Sequence, residues 1–173
     1  IFASIEEPIP TLGAMTLSIY GVVANNEIQF TPYYDLGGLD LATPLSERFG
    51  IPVYLMNEAD LAANGEWATR GPLDDLLSLK IREGIGLGIV LQGEREHGAN
   101  GFAGEFGHSI LVPQGIQCPC GNRGCLEQYL SESALLEAYA ESLPKRRANL
   151  RDLLRSWEEG DPATLRLMEA YES

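Results

Sequence analysis

The stretch from Gly84 to Tyr129, GIGLGIVLQGEREHGANGFAGEFGHSILVPQGIQCPCGNRGCLEQY, decides the reading of this chain. Four glycines, Gly98, Gly101, Gly104 and Gly107, fall within ten residues, which implies backbone held close to itself or to a ligand. The chain has three cysteines, and all lie between Cys118 and Cys125. With His108 they form a His-x9-Cys-x-Cys-x4-Cys set, four ligands of the kind a closed tetrahedral zinc site requires. Pro119 stiffens the first turn, while Gly121 and Gly124 allow the positive φ that folds three thiolates round one ion. Incidental cysteines and a core histidine would not explain this clustering. Four protein ligands leave no open position for a reactive water, so zinc at His108, Cys118, Cys120 and Cys125 is expected to be structural. If one ring nitrogen of His108 binds the metal, the other becomes a directed donor with a fixed tautomer.

Upstream, Thr11–Val23 reads as a strand and Glu27–Phe30 as a second, joined through Asn25-Asn26. Leu41, Leu45 and Phe49 recur at helical spacing, with Gly50 as the stop. Ile51–Met56 is an apolar run of strand length, and an Ala-rich helix follows over Ala59–Thr69. That junction places Asn57-Glu58 at the carboxyl end of a buried strand, where ligands bind in open α/β sheets. Leu76–Ile81 and Leu87–Gln92 read as an antiparallel pair, and Ser109–Val112 as another strand. Beyond the cysteines, Leu126–Ser142, Leu150–Glu159 (capped by Asn149) and Ala163–Tyr171 (capped by Asp161) read as helices.

The composition limits what the chain does. Twelve Lys+Arg against 25 Asp+Glu give a formal charge of −13, which repels phosphate backbones, so these residues are not expected to grip DNA themselves. No apolar run approaches the roughly 20 residues of a membrane-spanning helix, and IFASIEEPIP lacks the basic start of a signal peptide. An odd cysteine number argues against a disulfide framework and for a reducing compartment, so the chain is expected to be cytoplasmic, with no membrane partner. Both ends run into patterned sequence without caps, which reads as part of a longer protein. Lys145-Arg146-Arg147 reads as a solvated linker, His97 as an exposed turn residue, and Trp67 and Trp157 as core or subunit contacts.

The glycine spacing, the E-x-G-H step at Glu105–His108 and the C-x-C-G-x-x-G-C-L-E block resemble the central signature of the ROK family of bacterial sugar-responsive repressors and sugar kinases. Phe49–Glu66 (FGIPVYLMNEADLAANGE) is similar to the family's F-G-I-P-V-x-x-x-N-D-A-N-x-A-A-x-G-E, and Ser18–Val23 (SIYGVV) to its S-x-P-G-x-V. The resemblance implies an α/β, actin-like (ribonuclease H-like), two-lobed ATPase-type fold, here partial, with sugar in the cleft between lobes and, in the kinases, ATP beside it. It divides the chain into 1–56, the end of the first lobe; 57–129, the sugar-site and zinc core; and 130–173, a helical part of the second lobe. Residue by residue, it implies sugar contacts at Asn57, Glu58, Glu105, His108 and Glu127. These carboxylates, amide and imidazole suit the paired donors and acceptors of a monosaccharide.

Two departures bear on activity. Where the kinases carry the catalytic Asp of Asn-Asp, this chain has Glu58, one methylene longer, and a shift near 1 Å can cost about a hundredfold in rate. Where they carry a G-T-G-x-G phosphate loop, it reads Arg82-Glu83-Gly84-Ile85-Gly86, with a carboxylate in place of the hydroxyl donor. Both forms resemble the family's xylose-type repressors. The expectation is therefore a sugar-sensing domain, relaying a monosaccharide effector to a helix-turn-helix on operator DNA outside this chain, in a homodimer or larger assembly. The alternative is an ATP- and Mg-dependent, glucokinase-like sugar kinase with Glu58 as base.

Overall fold

A computed structural model describes residues 12–71, 73–141 and 148–172. Described residues up to Ser78, with Gly88–Gly104, form one compact unit; Leu79–Leu87 with the described residues from Glu105 onward form another.

In the first unit, β1 (Met15–Ile19) lies parallel to β4 (Val53–Asn57), in register from Met15 opposite Val53 to Ile19 opposite Asn57. The apolar run expected as one strand over Thr11–Val23 is broken at Tyr20-Gly21, and the chain resumes as β2 (Val22–Ala24). β2 pairs antiparallel with β3 (Glu27–Phe30) through a turn in which Asn25 and Asn26 both have positive φ, 52° and 62°. Such a turn matches the twist of the strands it joins. The Asn26 side chain also reaches β4: its Nδ2 donates to Val53 O at 3.0 Å and its Oδ1 accepts from Leu55 N at 2.6 Å.

α1 (Ala42–Phe49) ends as its sequence specifies, with Gly50 in the left-handed conformation and its N–H on Ser46 O at 2.8 Å. Ile19, Ile28, Ala42, Val53 and Leu55 are buried together, with Leu41 and Leu45 packed on them, so the apolar alternation of the strands and the apolar stripe of α1 meet in one core. α2 (Glu58–Arg70) follows β4 directly and buries Ala59 and Ala63. β5 (Leu76–Ile81), β6 (Ile85–Leu91) and β7 (Glu94–Arg95) lie side by side in that order, and β7 is antiparallel to β6.

In the second unit, Phe106–His108 is a single 3₁₀ turn, and the strand expected over Ser109–Val112 is not formed. Those residues bond to the cysteine loop instead. Leu111 N and Val112 N both donate to Gly124 O, at 2.8 and 3.1 Å, and Leu126 N donates to Ser109 O at 2.8 Å. One carbonyl taking two N–H groups cannot extend into a ladder. The helix expected from Leu126 is two, α3 (Glu127–Leu130) and α4 (Glu132–Glu141), because Ser131 is extended (φ −75°, ψ 160°) and its hydroxyl takes the N–H of Ala134 at 3.1 Å. Ser142 and the Lys145-Arg146-Arg147 patch lie outside the described residues.

α5 (Leu150–Glu158) is capped by Asn149, whose Oδ1 accepts from Asp152 N at 2.9 Å; α6 (Pro162–Glu172) starts on Asp161, whose carboxylate accepts from Thr164 N at 2.8 Å. Tyr171 Oη donates to Ser131 O at 2.8 Å and so ties α6 to the joint between α3 and α4. Trp157 is 40% exposed, which removes it from the core, and His97 is exposed as expected. No helix among the described residues is long and apolar enough to cross a membrane.

Candidate metal centre and the residues around it

The second unit gathers the four predicted metal ligands. One ligand atom each from His108, Cys118, Cys120 and Cys125 lies within 4.8 Å of the others, so the set could hold a metal ion. His108 arrives on the 3₁₀ turn, whose hydrogen bond from His108 N to Glu105 O (3.1 Å) also fixes the Glu105 backbone. The cysteines arrive on a loop closed by its own backbone: Cys118 N donates to Asn122 O, Gly121 N to Cys118 O and Gly124 N to Ile116 O, at 2.9, 3.0 and 2.7 Å. Cys118 and Cys125 are buried and Cys120 partly so. Burial pushes the Cys118 and Cys125 thiols above their ordinary value. A cation supplies the opposite influence, which is why buried thiols clustered this way suit a metal whose binding displaces their protons.

Two carboxylates flank His108 on opposite sides of its ring. Glu127, the first residue of α3, is buried (5% exposed), and its Oε1 lies 3.6 Å from His108 Nδ1 and 3.4 Å from Cys118 Sγ. Glu105 Oε2 lies 3.7 Å from His108 Nε2. Nδ1 is also 3.6 Å from Cys118 Sγ. The ring therefore turns Nδ1 toward the thiols and Nε2 toward Glu105. Three of the five residues carried over as sugar contacts, Glu105, His108 and Glu127, thus stand together in one unit.

Asn57 and Glu58 belong to the first unit. Asn57 caps α2: its Oδ1 accepts from Ala59 N at 2.7 Å, and its Nδ2 donates to Gly21 O at 2.8 Å. It therefore holds the helix start to the break between β1 and β2. Glu58, partly buried, occupies the first helical turn, where a carboxylate suits the helix dipole.

Sequence reasoning missed two supports of the His108–cysteine cluster. Gln128 Nε2 donates to Glu127 Oε1 at 3.3 Å and lies 3.6 Å from Cys118 Sγ, and Tyr129 Oη accepts from Ile116 N at 2.9 Å. Their position directly after Cys125-Leu126-Glu127 was the available signal, since one turn of helix returns those side chains to the loop just left.

A mixed α/β chain in which three cysteines and a histidine flanked by two carboxylates could hold a metal ion points to a class, and comparison places the chain within it. The ROK family profile matches residues 3–173, and the chain belongs to the ROK family. It is 32% identical over 149 residues to the xylose repressor of Bacillus subtilis, covering 85% of this chain and 38% of the repressor. It is 37% identical over 124 residues to the glucokinase of Streptomyces coelicolor, covering 70% of this chain and 38% of that enzyme. Among solved structures it resembles a ROK family glucokinase from Streptomyces griseus in complex with glucose and AMPPNP, with a TM-score of 0.75 and 27% identity, covering 89% of this chain and 55% of that one. The chain thus spans well under two thirds of the length of these relatives.

Proposed function

We propose that this chain is the sugar-sensing part of a cytoplasmic ROK-type transcriptional repressor, with a structural zinc in the knot, a monosaccharide as effector and operator DNA held by another part of the protein. The observation that carries the repressor reading is the turn between β5 and β6. Glu132 N donates to Arg82 O at 2.8 Å, and Arg82 Nε lies 3.7 Å from Glu132 Oε2. The turn is closed onto the start of α4 by an internal ion pair, and Glu83 adds a further carboxylate within it. A phosphate chain at such a turn would meet negative charge where a kinase needs donors.

The donor set of the knot fits zinc: three thiolates and one imidazole are tetrahedral, closed ligands. Bound through Nδ1, the metal leaves His108 Nε2 as an N–H donor on the side of Glu105. Glu105, His108 and Glu127 then present two acceptors and a directed donor to the hydroxyls of one sugar. Asn57, through the second N–H of its amide, and Glu58 are proposed as further contacts. The division expected from the sequence, with 57–129 holding both the sugar contacts and the knot, belongs to this proposal, as does a homodimeric or larger assembly.

A sugar kinase is the second reading, favoured by the glucokinase relatives and by the carboxylate of Glu58 at the end of β4. One experiment separates the two. The full-length protein is titrated calorimetrically with xylose and with glucose, then assayed for release of a labelled DNA fragment from upstream of its own coding region and for sugar-dependent ATP consumption. Saturable sugar binding that is lost in Glu105→Gln and Glu127→Gln at unchanged zinc content, with DNA release and no ATP consumption, is expected. ATP consumption abolished by Glu58→Gln would overturn the repressor reading.

A further inference from the structure

An ion pair of the first unit, withdrawn from water, lies apart from both the knot and the proposed sugar contacts. Asp60 stands in the first turn of α2 and Arg95 in β7, and Arg95 Nη1 donates to Asp60 Oδ2. Both side chains are largely withdrawn from water, 14% and 24% exposed respectively. Burial pushes the Asp60 carboxyl above its ordinary value, and Arg95 draws it back down. A withdrawn pair of this kind adds little net stability compared with apolar residues of the same volume, so its use lies in the arrangement it selects.

That arrangement follows from the packing of α2. The helix rests on β6 at Gly88, where an added Cβ would lie 2.4 Å from Ala63 Cβ and 2.5 Å from Ala59 O. That close contact sets the distance of the helix from β6, and the bond from Asn57 Nδ2 to Gly21 O holds its start. Arg95 pairs with Val90, two residues beyond Gly88 on the same strand, and its bond to Asp60 ties the first turn of α2 to β7 as well. The loop that follows β7 is anchored at the same place: Glu96 N donates to Ile89 O at 2.9 Å, Gly98 N to Glu96 Oε1 at 2.6 Å and Ala103 N to His97 O at 3.1 Å.

We propose that Asp60 and Arg95 are a positioning pair that fixes the orientation of the first turn of α2, and with it Asn57 and Glu58, against the glycine loop after β7. The proposal rests on the reading of Asn57 and Glu58 as sugar contacts. Its test compares Arg95→Met, Arg95→Lys, Asp60→Asn and the double variant Asp60→Asn/Arg95→Met in the full-length protein. Calorimetry with xylose and glucose is read beside amide hydrogen exchange at residues 57–60 and 97–104. Arg95→Met and Asp60→Asn are expected to weaken sugar binding about tenfold, as loss of an outer supporting contact does, and to speed exchange in both segments. The double variant should be no weaker than either single one, because each single change already removes the ion pair and leaves one buried charge unpaired, and Arg95→Lys should recover most of the affinity. Wild-type affinity and exchange in Arg95→Met, or equal losses for Lys and Met, would overturn it. Should Arg95→Met not fold, Asp60→Asn makes the same comparison. If the wild type binds neither sugar, the sugar reading fails by itself; exchange at 57–60 still decides the pair, and unchanged exchange in Asp60→Asn/Arg95→Met refutes it.

Discussion

Gly124→Ala should empty the knot, and its neighbour Gly121→Ala shows how much of the effect is packing. Both glycines have positive φ, +84° and +96°, so an alanine at either position meets the left-handed penalty of about 1–2 kcal/mol. Only Gly124 is also crowded. A Cβ there would lie 1.7 Å from Val112 O and 2.6 Å from Val112 C, whereas at Gly121 nothing lies within 4 Å. The Val112 carbonyl would have to retreat by about 1.7 Å to reach the 3.4 Å where ordinary contact begins. That movement strains or breaks its hydrogen bond from Gly115 N, worth about 1 kcal/mol. With an overpacking cost of about 1–3 kcal/mol added, Gly124→Ala should cost roughly 2–4 kcal/mol more than Gly121→Ala. In retention of the proposed zinc against a graded chelator this is a further loss of about one to three powers of ten. Metal content after chelator challenge, with thermal melting alongside, reads both variants. Equal retention in the two would refute the packing argument, since they share the backbone penalty and differ in the overlap.

Asn149→Ala removes the cap on Asp152 N and should cost about 1 kcal/mol, read as a lower melting temperature with unchanged zinc content. The Asp161 carboxyl is held below its ordinary value of 3.8 chiefly by the backbone N–H of Thr164, with the Thr164 hydroxyl and the N–H of Ala163 adding to it. A depressed folded-state value means the contribution is complete above the unfolded value and is lost as pH falls through the folded one. The melting gap between wild type and Asp161→Ala should therefore be flat near neutrality and close below about pH 4; a constant gap down to acid conditions would refute the linkage.

Much of this arrangement is legible in the sequence because it is local. Gly50 stops α1, Asn149 caps α5, and Asp161-Pro162 opens α6, each by a bond spanning at most four residues. The gathering of His108 with the three cysteines is also legible, since its spacing is short and its residue types have few other uses. What sequence reasoning lost lies at longer range or against propensity. Ser109–Val112 has the composition of a strand, yet the N–H groups of Leu111 and Val112 end on Gly124 O, a partner no periodicity reveals. The pairing of β1 with β4, across a whole hairpin and helix, likewise follows from tertiary packing and not from the turn that joins neighbours. The Asp60–Arg95 contact, 35 residues apart, leaves no trace in either local segment.

Asn26 shows how two small demands can reserve a position for one residue type. Its backbone sits at φ 62°, which excludes β-branched side chains, and its amide both donates to Val53 O and accepts from Leu55 N. Glycine would satisfy the turn and lose the clamp, aspartate would accept but not donate, and glutamine would carry the amide a methylene too far. A hairpin tip of this kind is therefore held by its own hydrogen bonds. Among relatives that keep the clamp on β4, Asn26 should drift more slowly than the turn residue beside it, marking how the hairpin and β4 are joined even where sugar specificity has changed.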